Sequence, residues 1–202
     1  YGQKGVLLCS QQFGAGHVRT LDMMNTLASA QRNDPLSYQD ALELDQKVYE
    51  GYYRLFGRLS PEAISARGVI SLDYDLMGLL DKAIRNQEET VEDWKEASDL
   101  DDERFWTSLN NLSYLYGKKG LWLKSVETDW LAFDKASARL GVFHETSMEL
   151  EDSLINDYIR FGNREEVCRM AEKVYNARLA QLGSQHAETV KARQLLDDLR
   201  NN

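Results

Sequence analysis

The chain has little of what breaks a helix. Two prolines, Pro35 and Pro61, stand in 202 residues. Proline in a helix interior removes a hydrogen bond and clashes with the preceding turn, so their scarcity leaves room for an all-helical chain. Cysteine is equally sparse. Cys9 and Cys168 follow no metal or disulfide spacing, and the expectation is a reduced intracellular protein in which both are small core residues. No apolar run approaches the length that spans a bilayer. No charged-then-apolar leader opens the sequence; it begins on Tyr1, which reads as a fragment or processed chain. Positive charge is in deficit, with a formal net charge of −9. That argues against non-specific nucleic-acid binding, which relies on Lys and Arg neutralising phosphate. It favours basic partners through steering. No phosphate loop, nucleophile elbow or cofactor fingerprint occurs, and Gly14–Ala15–Gly16 is a turn, since no strand precedes it. The expectations are no catalytic residue, no cofactor, no bound metal, no membrane association and a cytoplasmic location.

What is present is a beat. Tyr74 and Gly78, Tyr116 and Gly120, and Tyr158 and Gly162 are the same pair at steps of 42 residues. Ile70, Leu112 and Leu154 keep that step, as do Ser71, Ser113 and Ile155. Two compact series do the same: Ala83, Ser125 and Val167, then Thr90, Ala132 and Val174. A fixed period of this size marks a stacked array of supersecondary units. Within each period apolar residues fall three and four apart, the helical spacing, with no alternating strand pattern beside it. Each period therefore holds two helices. The glycine sits where the first must stop, in the left-handed conformation that glycine adopts without penalty. The tyrosine rings are expected to be buried between the two helices, with their hydroxyls near the turn.

The chain divides on this period. Residues 1–13 end a truncated repeat, 14–56 form repeat one, 57–98 repeat two, 99–140 repeat three and 141–182 repeat four; 183–202 make a C-terminal capping helix or half-repeat. First helices are expected over about Thr20–Arg32, Ala63–Met77, Glu103–Lys119, Thr146–Phe161 and Thr189–Arg200. Second helices are expected over about Pro35–Phe56, Leu79–Ser98, Leu121–Leu140 and Asn163–Leu182. Repeat three has lost its leading glycine and reads Asp99–Leu100–Asp101–Asp102–Glu103, where Asp can still cap the following helix. Repeat one is the least regular. Asn33–Asp34–Pro35 replaces its turn glycine, and Gly51 inside its second helix costs roughly 1 kcal/mol of propensity. In the last segment Leu195, Leu196 and Leu199 form one apolar stripe, as a terminal helix covering an open stack requires.

Several stretches match a known pattern. They are Leu182–Gly183 with His186 and Thr189, Leu109–Asn110–Asn111–Leu112–Ser113 with Gly120, Gly78 with Ala83, and Gly162 with Val167. Together they resemble the 42-residue tetratricopeptide (TPR) repeats of kinesin light chains, a class also found in the arrays of NACHT-type signalling ATPases. The resemblance covers about residues 13–202. His144 departs from it, with Thr146 one residue early, and repeat two has no His, though Pro61 stands where the family often has Pro. The resemblance implies a right-handed superhelical solenoid of antiparallel helix pairs, with first helices lining a concave groove. It implies a non-enzymatic protein–protein interaction module, an adaptor or scaffold, binding a peptide or protein segment in that groove. The alternative is the sensor or self-association array of a larger NACHT-type ATPase, associating with further copies or packing on adjacent domains.

Counting from the turn glycine places the groove at Asn25, Val69, Leu72, Leu76, Asn110, Asn111, Tyr114, Lys118, Asp152, Asn156, Arg160, Lys191 and Gln194. Asn and Gln carry both a donor and an acceptor and can clamp a peptide backbone; they can equally pack between helices or face water. Val69, Leu72, Leu76 and Tyr114 could hold an apolar side chain, and Lys118, Arg160 and Lys191 an acidic group. His17, His144 and His186 lie a repeat or more apart with no His or Cys at ligand spacing, so hydrogen bonding to a neighbouring turn is expected. The acidic stretch Glu88–Glu103 is expected to be a solvated face, with a dock for a basic partner as the other reading. Trp94, Trp106, Trp122 and Trp130 are core by their spacing, with Trp106 or Trp130 an interface anchor if exposed.

Overall fold

The computed structural model describes residues 2–98, 102–142, 144–161 and 164–201. Gly162 and the Asp99–Asp101 stretch lie outside the described residues, as do the side chains of Tyr158 and Val167. The fold is all-α, and no strand occurs among the described residues. The helices are α1 Gly2–Phe13, α2 Val18–Gln31, α3 Tyr38–Phe56, α4 Pro61–Leu76, α5 Leu80–Ala97, α6 Glu103–Lys118, α7 Trp122–Leu140, α8 Glu145–Phe161, α9 Arg164–Leu182 and α10 Ala187–Asn201. Among the described residues no helix is long and apolar enough to cross a membrane.

The tyrosine beat is a helix-stop signal made by the backbone. Gly78 takes φ 74° and Gly120 φ 79°. The Gly78 N–H donates to the Asp75 carbonyl, and the Leu79 N–H reaches back to the Tyr74 carbonyl at 2.8 Å. At the next copy Gly120 donates to Gly117 and Leu121 to Tyr116, at 3.0 and 2.9 Å. This paired closure is the Schellman motif, which satisfies the last orphan carbonyls of a helix. The tyrosine–glycine spacing of four follows from it. The rings add a contact of their own: Lys82 Nζ lies 5.7 Å from the Tyr74 ring centre and Lys124 Nζ 5.0 Å from that of Tyr116. Tyr116 is buried as expected, whereas Tyr74 is only half-buried.

The starts of the first helices obey the same period. His17, His144 and His186 each accept, through Nδ1, the backbone N–H two residues on. Ser60 caps α4 by accepting from Ala63, and Asp102 accepts from Arg104 at 2.8 Å. The histidines are thus helix caps, bonding the turn that follows them. Three residues after each cap comes a buried position: Thr20, Ala63, Phe105, Ser147 and Thr189. Thr146 stands one residue early for this position, and Ser147 holds the buried hydroxyl instead. The other departure is at Pro35. Pro35–Ser37 form a 3-10 turn capped by Asp34, and α3 begins only at Tyr38.

The chain forms two compact units, residues 1–115 and 116–202, with the division inside α6. In the first, Leu21, Ala28, Val48, Ile64, Trp94, Phe105 and Trp106 are buried. Trp94 donates its indole N–H to Ser108 Oγ at 3.1 Å, tying α5 to α6. Arg32, at the end of α2, donates to Asp45 of α3 and to Asp73 of α4. Arg67 of α4 pairs with Asp93 of α5 at 2.9 Å, and donates to the Tyr49 hydroxyl of α3 at 2.7 Å. Asp93 also meets Arg58, so the acidic stretch is not wholly solvated: one of its carboxylates is a buried joint. In the second unit Phe133, Ala136, Leu150, Leu154, Ala171, Val174, Ala192 and Leu196 are buried. Ser125 of α7 donates to Asp157 of α8 there, and Arg178 of α9 to Glu151 of α8 at 3.1 Å. Of the expected C-terminal stripe Leu196 is buried and Leu195 and Leu199 half-buried. Cys9 and Cys168 are free and half-buried, not core residues.

Candidate functional site

One cleft in the first unit takes in three of the expected groove residues, Leu72, Asn111 and Tyr114. It has a volume of about 90 Å³ and lies between α4 and α6, with Gly68, Leu72, Asn111 and Tyr114 among its lining residues. Leu72 is 48% exposed and Tyr114 60%. Large apolar side chains left this open on adjacent helices form an apolar rim. Asp75 and Ser71 of α4 also line the cleft. Ser71 accepts from Asn86 Nδ2 at 2.9 Å, and that same amide donates to the Arg67 carbonyl, so α5 holds the α4 wall in place.

The floor is Gln87, which is not among the expected groove residues. It belongs to α5, a second helix, and has no exposed surface. Its Nε2 donates to the Ser108 carbonyl at 2.9 Å. That bond fixes which end of the amide is which. Its Oε1 is buried with no hydrogen-bond partner. A buried acceptor left unmade costs about 1–3 kcal/mol. Gly68 leaves space beside the floor: a Cβ added there would stand 3.9 Å from Gln87 Oε1 and 3.5 Å from Thr90 Cγ2. The available signal was Gly68, a glycine amid a helix whose only cost-free reason is space.

The other expected groove residues are less concentrated. In the first unit Asn25 is exposed, and Val69, Leu76 and Asn110 are half-buried. In the second, Lys118, Asp152, Asn156 and Arg160 are exposed. Lys191 is held by Glu188 at 2.7 Å, and Gln194 donates to Asp198 at 2.9 Å, so both already serve their own helix, α10. Among the aromatic candidates Trp94 and Trp106 are buried, Trp122 is half-buried and Trp130 is 37% exposed. Among the described residues no group of three or more His, Cys, Asp and Glu is placed to hold a metal.

Two buried carboxylates have altered acidity. Asp45 is pushed up to about 7 by burial and by its hydrogen bond to Asp73, against the pull of Arg32. Glu151 is pushed up to about 7 by burial, against Arg178, with Asp152 and Glu188 adding to the rise. Neither carboxylate lines the α4–α6 cleft.

No protein-family model matches the chain, and no curated protein matches its sequence. Solved structures do. One holds the nearly identical TPR-like repeats of a candidate kinesin light chain from Podosopora anserina, with TM-score 0.73 and 18% sequence identity, covering 89% of this chain and 84% of that one. Another is BtubC (BKLC) from P. vanneervenii, with TM-score 0.74 and 15% identity, covering 98% of this chain and 78% of that one. The likeness shows the fold: an all-α, TPR-like helical repeat.

Proposed function

We propose that the chain is a non-enzymatic protein-interaction module, and that a peptide or protein segment docks on the first-helix face with the α4–α6 cleft as its principal contact. The observation that carries this reading is the unpartnered Gln87 Oε1 beneath Gly68. An N–H from a ligand backbone or side chain would satisfy that acceptor, while Leu72 and Tyr114 cover the apolar part of the same ligand residue. Asn25, Asn110 and Asn111 stand as further two-way hydrogen-bonding groups. The first unit holds 19 Asp and Glu against 11 Lys and Arg, a surplus that attracts a basic segment. Binding to the cleft needs no chemistry.

The test is a random-peptide library displayed against the full 202-residue chain, followed by calorimetry on selected peptides. Gln87→Met should weaken binding by about tenfold, the equivalent of one lost hydrogen bond. Asn110→Ala with Asn111→Ala should weaken it further, with helicity unchanged in both. Affinities unaltered by both changes would remove the cleft from the reading.

A second reading, the self-association or sensor array of a NACHT-type signalling ATPase, is favoured by α1. That helix buries none of its residues and leaves Leu7 and Leu8 largely exposed, an apolar face on which another helix can stack. Light scattering of the chain with and without Leu7→Glu and Leu8→Glu tests it: a concentration-dependent mass abolished by the pair supports stacking, and a constant monomer mass rejects self-association.

A further inference from the structure

The second unit contains a cavity that the groove reading does not use. It has a volume of about 150 Å³ and lies among α7, α8 and α9. Trp130, Phe133 and Val174 supply apolar walls, and Glu151, Lys173 and Arg178 the charged groups. Trp130 is the open wall, and Lys173 Nζ stands 5.1 Å from its ring centre.

Arg178 is the informative residue. It is only 7% exposed. Its Nη2 donates to Glu151 Oε2 at 3.1 Å, and its Nε is buried without a hydrogen-bond partner. A guanidinium has five N–H donors in a fixed fork, no acceptor, and no accessible neutral form. Its Nε–H therefore needs an acceptor from elsewhere. A buried group of this kind is ordinarily matched by protein or ordered water. Arg178 lines a cavity of the size that holds one aromatic ring. With Glu151 ionised, the three charged groups carry a net positive charge.

The geometry points to a binding site in the second unit for a small aromatic carboxylate, its ring against Trp130, Phe133 and Val174 and its carboxylate oxygen accepting from Arg178 Nε. Lys173 stands at the open wall, where it supplies the second positive charge. This site is independent of the peptide cleft. It differs from that cleft in polarity, because its buried unmet group is a donor where the cleft's is an acceptor.

Phenylacetate is the probe. The full chain, labelled with nitrogen-15, is titrated while the arginine Nε–Hε signals are followed, with Arg178→Lys identifying the Arg178 resonance. Saturable binding at about 1 mM or tighter, with that resonance moving most, is the expected result. Ala177→Leu fills the cavity wall while leaving Arg178 and Glu151 in place, and should weaken binding at least tenfold with an unchanged unfolding midpoint. Benzyl alcohol and phenethylamine should bind at least tenfold more weakly than phenylacetate. Equal binding of the three probes, no saturation by phenylacetate, or full binding to Ala177→Leu overturns the site. A peptide ending in phenylalanine with a free carboxylate distinguishes a chain terminus from a free ligand: binding tenfold tighter than phenylacetate rejects the small-molecule source.

Discussion

The two units use the same helical period for opposite polar ends. Residues 1–115 hold 19 acidic against 11 basic side chains, and residues 116–202 hold 14 against 13. The first unit's cleft ends on an unmet acceptor, Gln87 Oε1, and the second unit's cavity on an unmet donor, Arg178 Nε. Each unit also buries a carboxylate beside an arginine and raises its pKa to about 7. The repeat explains how one scaffold yields both. Asp45, Gln87, Asp129 and Ala171 are successive copies of one second-helix position, 42 residues apart, and all four are buried. The position is set by packing, and the side chain there is free to differ. Asp45 meets Arg32, Gln87 reaches the Ser108 carbonyl and leaves an acceptor over, and Ala171 only packs. Burial is thus a property of the register, whereas polarity belongs to the individual repeat.

Removing from each unit the arginine that pairs with its raised carboxylate should separate them most. Arg32 bridges two carboxylates, Asp45 and Asp73, while Arg178 meets one, Glu151. Taking one partner from a buried ion pair leaves an uncompensated charge, at a cost of about 3–5 kcal/mol when the remaining group stays ionised. Arg32→Met is expected to cost about 3 kcal/mol and Arg178→Met about 2 kcal/mol by urea unfolding at pH 8. The smaller figure for Arg178 reflects the single carboxylate and the donor that goes unmet in the wild type. Equal costs, or a larger one for Arg178, would break the comparison.

Acidity gives the next effect. A carboxyl whose folded pKa lies above its unfolded value binds its proton more tightly in the native state. Its contribution to stability is full below the unfolded pKa and is lost as pH rises through the folded one. For Asp45 that window runs from 3.8 to about 7, and for Glu151 from 4.5 to about 7. The lowered pKa values of Asp102 and Glu188 act the other way, but carboxyls held below their usual values titrate below pH 5 and leave this range largely unchanged. The chain should therefore lose about 1–3 kcal/mol of stability between pH 5 and pH 8. Asp45→Asn and Glu151→Gln should each flatten that slope by a similar amount, because both windows close at about 7 and both unfolded values lie below pH 5. Urea midpoints across the range decide the matter; a rising midpoint, or a slope that neither change flattens, contradicts the prediction.

Periodicity carried the architecture because backbone demands recur. A helix must stop at the same place in each regular copy, so Tyr74–Gly78 and Tyr116–Gly120 are legible as a motif, and the caps at 60, 102, 144 and 186 keep the step of 42, with the cap at 17 one residue further away, even as His, Ser and Asp replace one another. Leu72, Asn111 and Tyr114 were reachable for the same reason, since a fixed offset from the glycine puts them on one face. What stayed hidden depends on pairs from different helices. Gln87 lies on a second helix, close to the missing side chain at Gly68. Arg178 and Glu151 stand 27 residues apart, a separation that no offset rule singles out. Asp93 sits inside an acidic run that composition alone reads as solvated, yet Arg58 and Arg67 close around it.

Glycine in a helix gives the smallest effect, and the one that best isolates the cleft from the fold. Gly68 of α4 and Gly117 of α6 both stand inside helices, one in each unit. Alanine restores about 0.5–1 kcal/mol of helix stability where its Cβ has room. At Gly68 the nearest neighbours of that Cβ would be at 3.5 and 3.9 Å, ordinary contacts; at Gly117 it would meet Ser125 Oγ at 3.2 Å and Trp122 at 3.5 Å. Ser125 is itself bonded to Asp157, so it yields less readily. Gly68→Ala should then raise stability by about 0.5 kcal/mol, and Gly117→Ala should leave it unchanged or slightly lower. The same Gly68→Ala change places a methyl group beside Gln87 Oε1 and narrows the cleft. Its expected signature is a more stable protein that binds selected peptides several-fold more weakly. A gain in stability with undiminished binding would leave Gly68 a packing residue and move the ligand contact elsewhere on the first-helix face.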